Sequence, residues 1–206
     1  MNGDTTVTVW AKGQILLRVI AGKAKKRILK VPTGWTGRPT ADRVKEALFN
    51  ILGAAVIESD FLDLFAGTGN VGIEALSRGA RKACFVEKDR RAVGAIKQNL
   101  ALTGLSQQAE IWAGDVFKIL NNLSERKINF DFIFLDPPYD KGYEEGVMEL
   151  IIAGKLLRPG GLLIAEVSKR QVMPEEKNGL ALWRREKYGD TVLCFYRWAG
   201  YDGEEA

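Results

Sequence analysis

The sequence predicts an α/β fold in which a largely parallel sheet is covered by helices on both faces. From residue 60 onward, apolar runs of strand length alternate with stretches of helical periodicity, and such alternation is typical of parallel strands joined by crossover helices. The chain has 206 residues, of which 46% are hydrophobic and 27% charged. These proportions suit a globular protein with a sizeable core.

The first 59 residues follow a different pattern. Residues 1–16 show no helical period, and we expect an extension that need not be ordered. Residues 17–59 are expected to form a basic hairpin and a helix: ILLRVIAG and RILKVP predict two short strands around the turn 22–26. The run ADRVKEALFNIL predicts a helix with Thr40 as its N-cap, because Val44, Leu48 and Leu52 share one face.

Residues 60–206 are expected to form the main domain. Its predicted strands read FLDLF, KACFVE, AEIWA, FDFIFLD and LLIAEV, and its predicted helices cover 72–78, 90–102, 116–123 and 143–156. Two further strand-like runs flank Gly189–Asp190 and predict a closing hairpin.

Composition excludes several kinds of chemistry. There is no histidine, which removes the commonest general base and metal ligand, and we expect no metal. Cys84 and Cys194 each lie in an apolar run and are interpreted as buried free thiols. No apolar run is long enough to span a bilayer and no secretory signal is evident, so we expect a cytoplasmic protein.

Charge is concentrated near the amino terminus. The net charge is +4, and residues 16–46 contain nine basic residues against two acids, Asp42 and Glu46. A basic segment on a near-neutral body is typical of proteins that bind a polyanion, although a solvated face without a partner has the same composition. The candidate RNA-binding residues are Arg18, Lys23, Lys25, Lys26, Arg27, Arg38 and Arg43.

A glycine-rich turn joins the first strand of the main domain to its helix. In FLDLFAGTGNVGIEAL, the glycines 67, 69 and 72 satisfy G-x-G-x-x-G, and Glu87 follows about twenty residues later. The turn alone is typical of dinucleotide sites. Asp63, just ahead of it, would repel a pyrophosphate and attract an ammonium group, which favours S-adenosylmethionine over NAD.

Two further acids follow neighbouring strands. Glu87 ends the second strand, where an acidic residue can accept hydrogen bonds from ribose hydroxyls. Asp115 follows the third strand, where it can meet an adenine amino group while Val116 packs on the ring. Each acid alone is also consistent with a solvated loop carboxylate, but three at consecutive strand ends favour a nucleoside site.

The fourth strand ends in FIFLDPPYD. Asp136 presents a carboxylate, and Pro137 and Pro138 stiffen the backbone and leave carbonyl oxygens without competing amide donors. Two such acceptors can hold both N–H groups of an exocyclic amine and direct its lone pair. Tyr139 can stack on a base that has been turned out of its helix.

These motifs resemble the family of 16S ribosomal RNA guanine-N2 methyltransferases, within the larger class that carries an Asp-Pro-Pro-Tyr signature and uses S-adenosylmethionine. The similar segments are LRVIAGKAKKRIL, RPTADRVKEALFNIL, DLFAGTGNVGIEALSRGA, LDPPY and YGDTVLCFYR, which cover most of the chain from residue 17. The first two segments are the ones that indicate this family in particular.

The resemblance implies a Rossmann-like class I methyltransferase with a seven-stranded, mostly parallel sheet whose last strand is antiparallel, and an amino-terminal hairpin that grips RNA. It implies methylation of one guanine in 16S ribosomal RNA, within an assembling small subunit, and we expect a monomer. The cofactor residues it indicates are Asp63, Phe65, Ala66, Gly67, Thr68, Gly69, Glu87, Lys88, Asp115 and Val116, and the reacting residues are Asp136, Pro137, Pro138 and Tyr139.

Three other functions stay open on the sequence. Adenine-N6 methylation of DNA or RNA uses the same acceptor geometry. An NAD-dependent oxidoreductase would use the glycine turn, but no hydride-transfer acid or base accompanies it. An RNA-binding protein without catalysis would have no need of the intact LDPPY segment.

Overall fold

The computed structural model describes residues 17–34, 40–138 and 142–200. The predicted extension at 1–16, Arg38 and Tyr139 lie outside these described residues.

Strands of two sheets make up the β-structure. The small amino-terminal sheet pairs β1 (Leu17–Arg18) with β2 (Ile28–Leu29) in antiparallel fashion. The central strands are β3 (Asp60–Leu64), β4 (Lys82–Glu87), β5 (Ala109–Ala113), β6 (Phe130–Leu135), β7 (Leu157–Ser168), β8 (Glu176–Lys177), β9 (Leu180–Tyr188) and β10 (Thr191–Trp198).

The central sheet has the order β5-β4-β3-β6-β7-β10-β9-β8. Strands β3 to β7 are parallel, and the last strand, β10, runs antiparallel to both β7 and β9. This confirms the predicted α/β class, the mostly parallel sheet and the antiparallel last strand. In the described part of the chain the central sheet has eight strands rather than the predicted seven, because the two-residue strand β8 pairs with the edge of β9.

Five α-helices cover the sheet in the described part of the chain. They are α1 (Asp42–Leu52), α2 (Asn70–Ser77), α3 (Arg90–Thr103), α4 (Val116–Glu125) and α5 (Tyr143–Ala153). One buried cluster joins α1, α2 and α3 to one face of the sheet through residues such as Leu48, Ile73 and Phe134. A second cluster joins α4 and α5 to the other face through residues such as Leu120 and Ile151. Helices on both faces therefore match the prediction.

The amino-terminal hairpin is packed onto α2. Glu74 accepts hydrogen bonds from the amides of Ile20 and Ala21 at 2.8 and 2.9 Å, and the carbonyl of Ser77 accepts one from Lys23 at 2.7 Å. Gly22 has φ +80°, and a Cβ there would lie 1.8 Å from the Ser77 oxygen, so only glycine permits this approach. The hairpin is thereby part of the same packed body as the glycine turn.

The predicted N-cap of α1 is wrong. Ala41 occupies the N-cap position and makes no side-chain capping bond. The hydroxyl of Thr40 instead donates a hydrogen bond to Glu166 in β7, because Thr40 is buried against the sheet rather than exposed at the helix start.

Candidate active site

A cavity of about 450 Å³ lies at the carboxyl ends of the parallel strands. Nine of the ten predicted cofactor residues line it, the exception being Gly69, and Asp136, Pro137 and Pro138 line it as well. Its size falls within the range of small-molecule pockets, ~300–1,000 Å³. The structure thus brings the glycine turn and the Asp-Pro-Pro segment into a single cavity.

The glycine turn has a conformation that depends on its glycines. Gly69 is the N-cap residue of α2 and has φ +79°. Residues other than glycine rarely adopt this left-handed backbone conformation. A Cβ on Gly72 would lie 2.4 Å from the Phe85 ring, so glycine allows α2 to lie directly on β4. This close packing brings the amide of Gly72 within 2.8 Å of Asp63 Oδ2.

Asp63 is a buried acid in the wall of this cavity, with 2% of its surface exposed. Burial raises the pKa of its carboxyl to about 7, while the hydrogen bond from Gly72 opposes the rise and the charge of Glu87 adds to it. A positively charged group in the cavity would favour the ionised form. Asp63 therefore suits a cationic part of a ligand.

Glu87 and Asp115 both accept backbone hydrogen bonds. Glu87 Oε2 accepts from Gly67 at 2.8 Å, and Oε1 accepts from Lys88 and Asp89 at 2.7 and 2.8 Å. Asp115 caps α4, its Oδ1 accepting from Phe117 at 3.1 Å. These bonds fix both carboxylates at the cavity wall, and each retains acceptor capacity for a ligand.

The reacting end of the cavity follows β6. Asp136 is half-buried, Pro137 is buried and Pro138 is exposed. Tyr139 lies outside the described residues, so its predicted stacking role stays a prediction. A prolyl residue has no amide hydrogen, so neither proline offers a donor that would compete for an acceptor at this point.

Several lining residues were missed by sequence reasoning, Tyr143 among them. The centre of the Tyr143 ring lies 5.5 Å from that of Phe65 and 6.0 Å from Lys88 Nζ. Phe65 itself has φ +60°. Tyr143 begins α5 and carries no motif that would reveal its position. The other unpredicted lining residues are Asn70, Val71, Val86, Gly114 and Phe134.

Comparison with known proteins identifies the family. Residues 17–197 match the family model described as "Conserved hypothetical protein 95". The chain belongs to the conserved hypothetical protein 95 family.

A protein of Bacillus subtilis is 38% identical over 89% of this chain and 100% of its own length. The ribosomal RNA small subunit methyltransferase D of Haemophilus influenzae is 37% identical over 91% of this chain and 94% of its own. A solved structure of a hypothetical protein from Thermus thermophilus has a TM-score of 0.75 at 34% identity, covering 88% of this chain and 99% of that one. The family predicted from the sequence is confirmed. The name of the Haemophilus protein specifies small-subunit RNA and does not specify the base.

In this member of the conserved hypothetical protein 95 family, most of the predicted RNA-binding side chains are solvent-exposed. Lys23, Lys25, Lys26 and Arg27 lie on the exposed hairpin turn, and Arg43 is exposed on α1. Arg18 is half-exposed and forms an ion pair with Asp42 at 2.9 Å. Arg38 lies outside the described residues.

Lys45 is one of the nine basic residues counted in 16–46, but it is not exposed like the others that the structure describes. It is fully buried, and its ammonium donates to the carbonyl of Arg18 and to Asn70 Oδ1, both at 2.6 Å, beside Glu74 at 3.2 Å. Burial lowers the pKa of Lys45, and Glu74 opposes that shift. Lys45 thus acts inside the fold, between the hairpin and the glycine turn.

The free thiols of Cys84 and Cys194 are buried, as predicted. Within residues 17–34, 40–138 and 142–200, no group of three or more acids or cysteines has the arrangement of a metal site. Over the same ranges, no helix is both long and apolar enough to cross a membrane.

Proposed function

We propose that this protein transfers a methyl group from S-adenosylmethionine to the exocyclic N2 amine of a guanine in 16S ribosomal RNA. The observation that carries the proposal is the single cavity lined by both Asp63, beneath the glycine turn, and Asp136, in the Asp-Pro-Pro segment. The first would pair with a cation and the second would accept hydrogen bonds from an amine, so one cavity offers both kinds of contact.

The residues present fit S-adenosylmethionine. Asp63, a buried acid, suits the ammonium of the methionine part, and Gly67, which has φ +55°, lines the same cavity. Glu87 has Oε2 available to a ribose hydroxyl besides Gly67, and Val116 faces the cavity beside Asp115 where an adenine ring would pack. When bound, the cofactor supplies a methyl group on a positively charged sulfur, which needs no further activation.

The protein's own contribution at the reacting end is to orient the amine. Asp136 and the carbonyl of Pro137 accept hydrogen bonds from the two N–H groups, which shifts the nitrogen toward tetrahedral geometry. Its lone pair then faces the cavity. Such preorganised acceptors lower the barrier because they need not rearrange during the reaction.

The exposed basic side chains support a nucleic acid as the substrate. Lys25, Lys26 and Arg27 on the hairpin turn can neutralise phosphates outside the cavity. The Haemophilus relative's name supports small-subunit RNA in particular, and we place the reaction in the cytoplasm, on RNA within an assembling subunit.

Adenine N6 is the alternative target, because Asp136 and Pro137 present the same acceptors to either amine. An oxidoreductase is disfavoured because Asp63 offers the pyrophosphate of a dinucleotide no favourable charge at the glycine turn, whereas its ionised form attracts an ammonium group.

The test is methylation of unmodified 16S ribosomal RNA, free and in a partly assembled subunit, with labelled S-adenosylmethionine. Nucleoside mass spectrometry then identifies the product. We expect N2-methylguanosine at one position. N6-methyladenosine would replace guanine by adenine as the target, and no incorporation into either RNA or particle would reject the proposal.

A further inference from the structure

Thr40 is held at two points by buried partners. Its hydroxyl donates a hydrogen bond to Glu166 Oε2 at 2.8 Å, and its carbonyl accepts one from Asn70 Nδ2 at 3.1 Å. Thr40, Asn70 and Glu166 are 4%, 4% and 5% exposed. Because Thr40 and Asn70 also line the cavity, residue 40 is a fixed part of the cavity wall.

The two partners of Thr40 lie on opposite sides of β6. Asn70 is the first residue of α2, which follows β3, and Glu166 lies near the end of β7. In the sheet, β6 lies between β3 and β7, and neighbouring strands are about 4.8 Å apart. The contacts from Asn70 through Thr40 to Glu166 therefore cross the end of β6, where Asp136 follows.

The relevant side chains share one face of the sheet. Asp63 pairs with Phe134 in β6, and Glu166 pairs with Leu193 in β10, and residues paired across strands point to the same face. Phe134 and Leu193 both belong to the buried cluster on the α1 side of the sheet. Thr40, just before α1, therefore lies on the same face of the sheet as Asp63 and Glu166.

We propose that Thr40 and Glu166 are positioning residues for the transfer reaction. We call their hydrogen bond the wall contact. It fixes residue 40 relative to the end of β6, and the distance between Asp136 and the part of the cavity that would hold the methionine group therefore stays constant. Neither side chain takes part in a bond change. The inference rests on the proposed function, and a misplacement of about 1 Å can cost about 100-fold in rate.

The test compares variants of the full chain in single-turnover methyl transfer, with saturating S-adenosylmethionine and 16S ribosomal RNA. Thr40→Val removes the hydroxyl and keeps the side-chain shape, and we expect the rate to fall about 10- to 100-fold. The Kd for RNA should stay within about threefold, because the phosphate-binding side chains are unchanged. Thr40→Ser and Glu166→Gln should retain most of the rate, since each still forms the hydrogen bond.

A double-mutant cycle then asks whether the two residues act through each other. Thr40→Val combined with Glu166→Leu should be no slower than the slower single variant. If the fold losses in rate of the two single variants multiply in the double variant, the two residues do not act through a shared interaction. If Glu166→Leu fails to fold, the rates of Thr40→Val, Thr40→Ser and Glu166→Gln decide the question.

Ser59→Ala is the matched control. Ser59 is also buried, and its hydroxyl donates to the carbonyl of Val56 at 2.7 Å at the opposite end of β3. This variant loses the same kind of bond and should transfer methyl groups at the wild-type rate. An equal loss in Ser59→Ala would mean that reduced stability, rather than the wall contact, lowers the rate.

Hydrogen–deuterium exchange provides a readout that does not depend on activity. Backbone amides at 42–45 should exchange faster in Thr40→Val than in wild type or Ser59→Ala, with cofactor present. Unchanged exchange, or a wild-type rate in Thr40→Val, would overturn the inference. If wild-type protein methylates no RNA, the proposed function fails, and the exchange result still decides whether the wall contact fixes residue 40.

Discussion

Asp63 shows how one residue connects the fold to the choice of ligand. Its position just before the glycine turn is readable in the sequence, but its burial depends on α2 lying against β4 at Gly72. That burial raises the pKa of the carboxyl to about 7. In the free protein the ionised form is therefore disfavoured, and this group lowers stability as the pH rises from about 4 to about 7. A bound ammonium reverses the preference.

We expect cofactor affinity to rise with pH up to about 7. Below the pKa of Asp63, binding an ammonium ligand must release the carboxyl proton, so affinity should increase by up to about tenfold per pH unit from pH 5 and level off above 7. Calorimetry with S-adenosylmethionine at several pH values measures this slope.

Asp63→Asn should bind more weakly, by about 1–3 kcal/mol at pH 8, and show a flat profile. Glu125→Gln, which removes an exposed acid at the end of α4, should leave the slope as in wild type. A slope that survives in Asp63→Asn would assign the titration to another group.

At the scale of elements, local patterns predicted the regular parts well. KACFVE and AEIWA coincide with β4 and β5 residue for residue, because each is an apolar run bounded by polar or glycine-containing turns. Strand β8 was not predicted, since two residues give no period and their pairing depends on the edge of β9.

The segment before α1 shows where local patterns fail. Thr40 has the residue type of an N-cap, yet its hydroxyl pairs with Glu166, far away in the chain. Lys45 has the charge of an RNA-binding residue, yet Glu74 and Asn70 on α2 hold it inside the protein. Both sets of partners come from tertiary packing, which no local pattern reports.

The hairpin turn should act in RNA affinity without affecting the cofactor. Changing Lys25, Lys26 and Arg27 together to Ala should weaken RNA binding and flatten its salt dependence, by about 0.7–0.9 in log–log slope for each phosphate that is no longer neutralised. Fluorescence anisotropy with 16S ribosomal RNA fragments across a salt series measures the slope.

A double Lys127→Ala, Lys155→Ala variant is the control. These exposed lysines follow α4 and α5 on the other face of the sheet, and their loss should leave the slope unchanged. Equal flattening in both variants would show that total charge matters rather than the hairpin.

At the scale of the whole molecule, strand order assembles the site from distant segments. The ends of β3, β4 and β6 and the loop after β5 supply Asp63, Glu87, Asp136 and Asp115 to one cavity. The sequence predicted these residues because each follows a strand or lies near its end, and parallel strands end at one edge. It did not reveal Asn70 or Tyr143, which reach the cavity through the placement of their helices. The three-part division of the chain and the monomeric state stay predictions.

The account depends on Asp136 acting on the target amine. Its most direct test is single-turnover methyl transfer to 16S ribosomal RNA by Asp136→Ala and Asp136→Asn, with cofactor affinity measured in parallel. We predict that Ala lowers the rate at least about 100-fold, that Asn retains more activity because its amide oxygen still accepts a hydrogen bond, and that both bind S-adenosylmethionine like wild type. Transfer by Asp136→Ala at the wild-type rate would contradict the account.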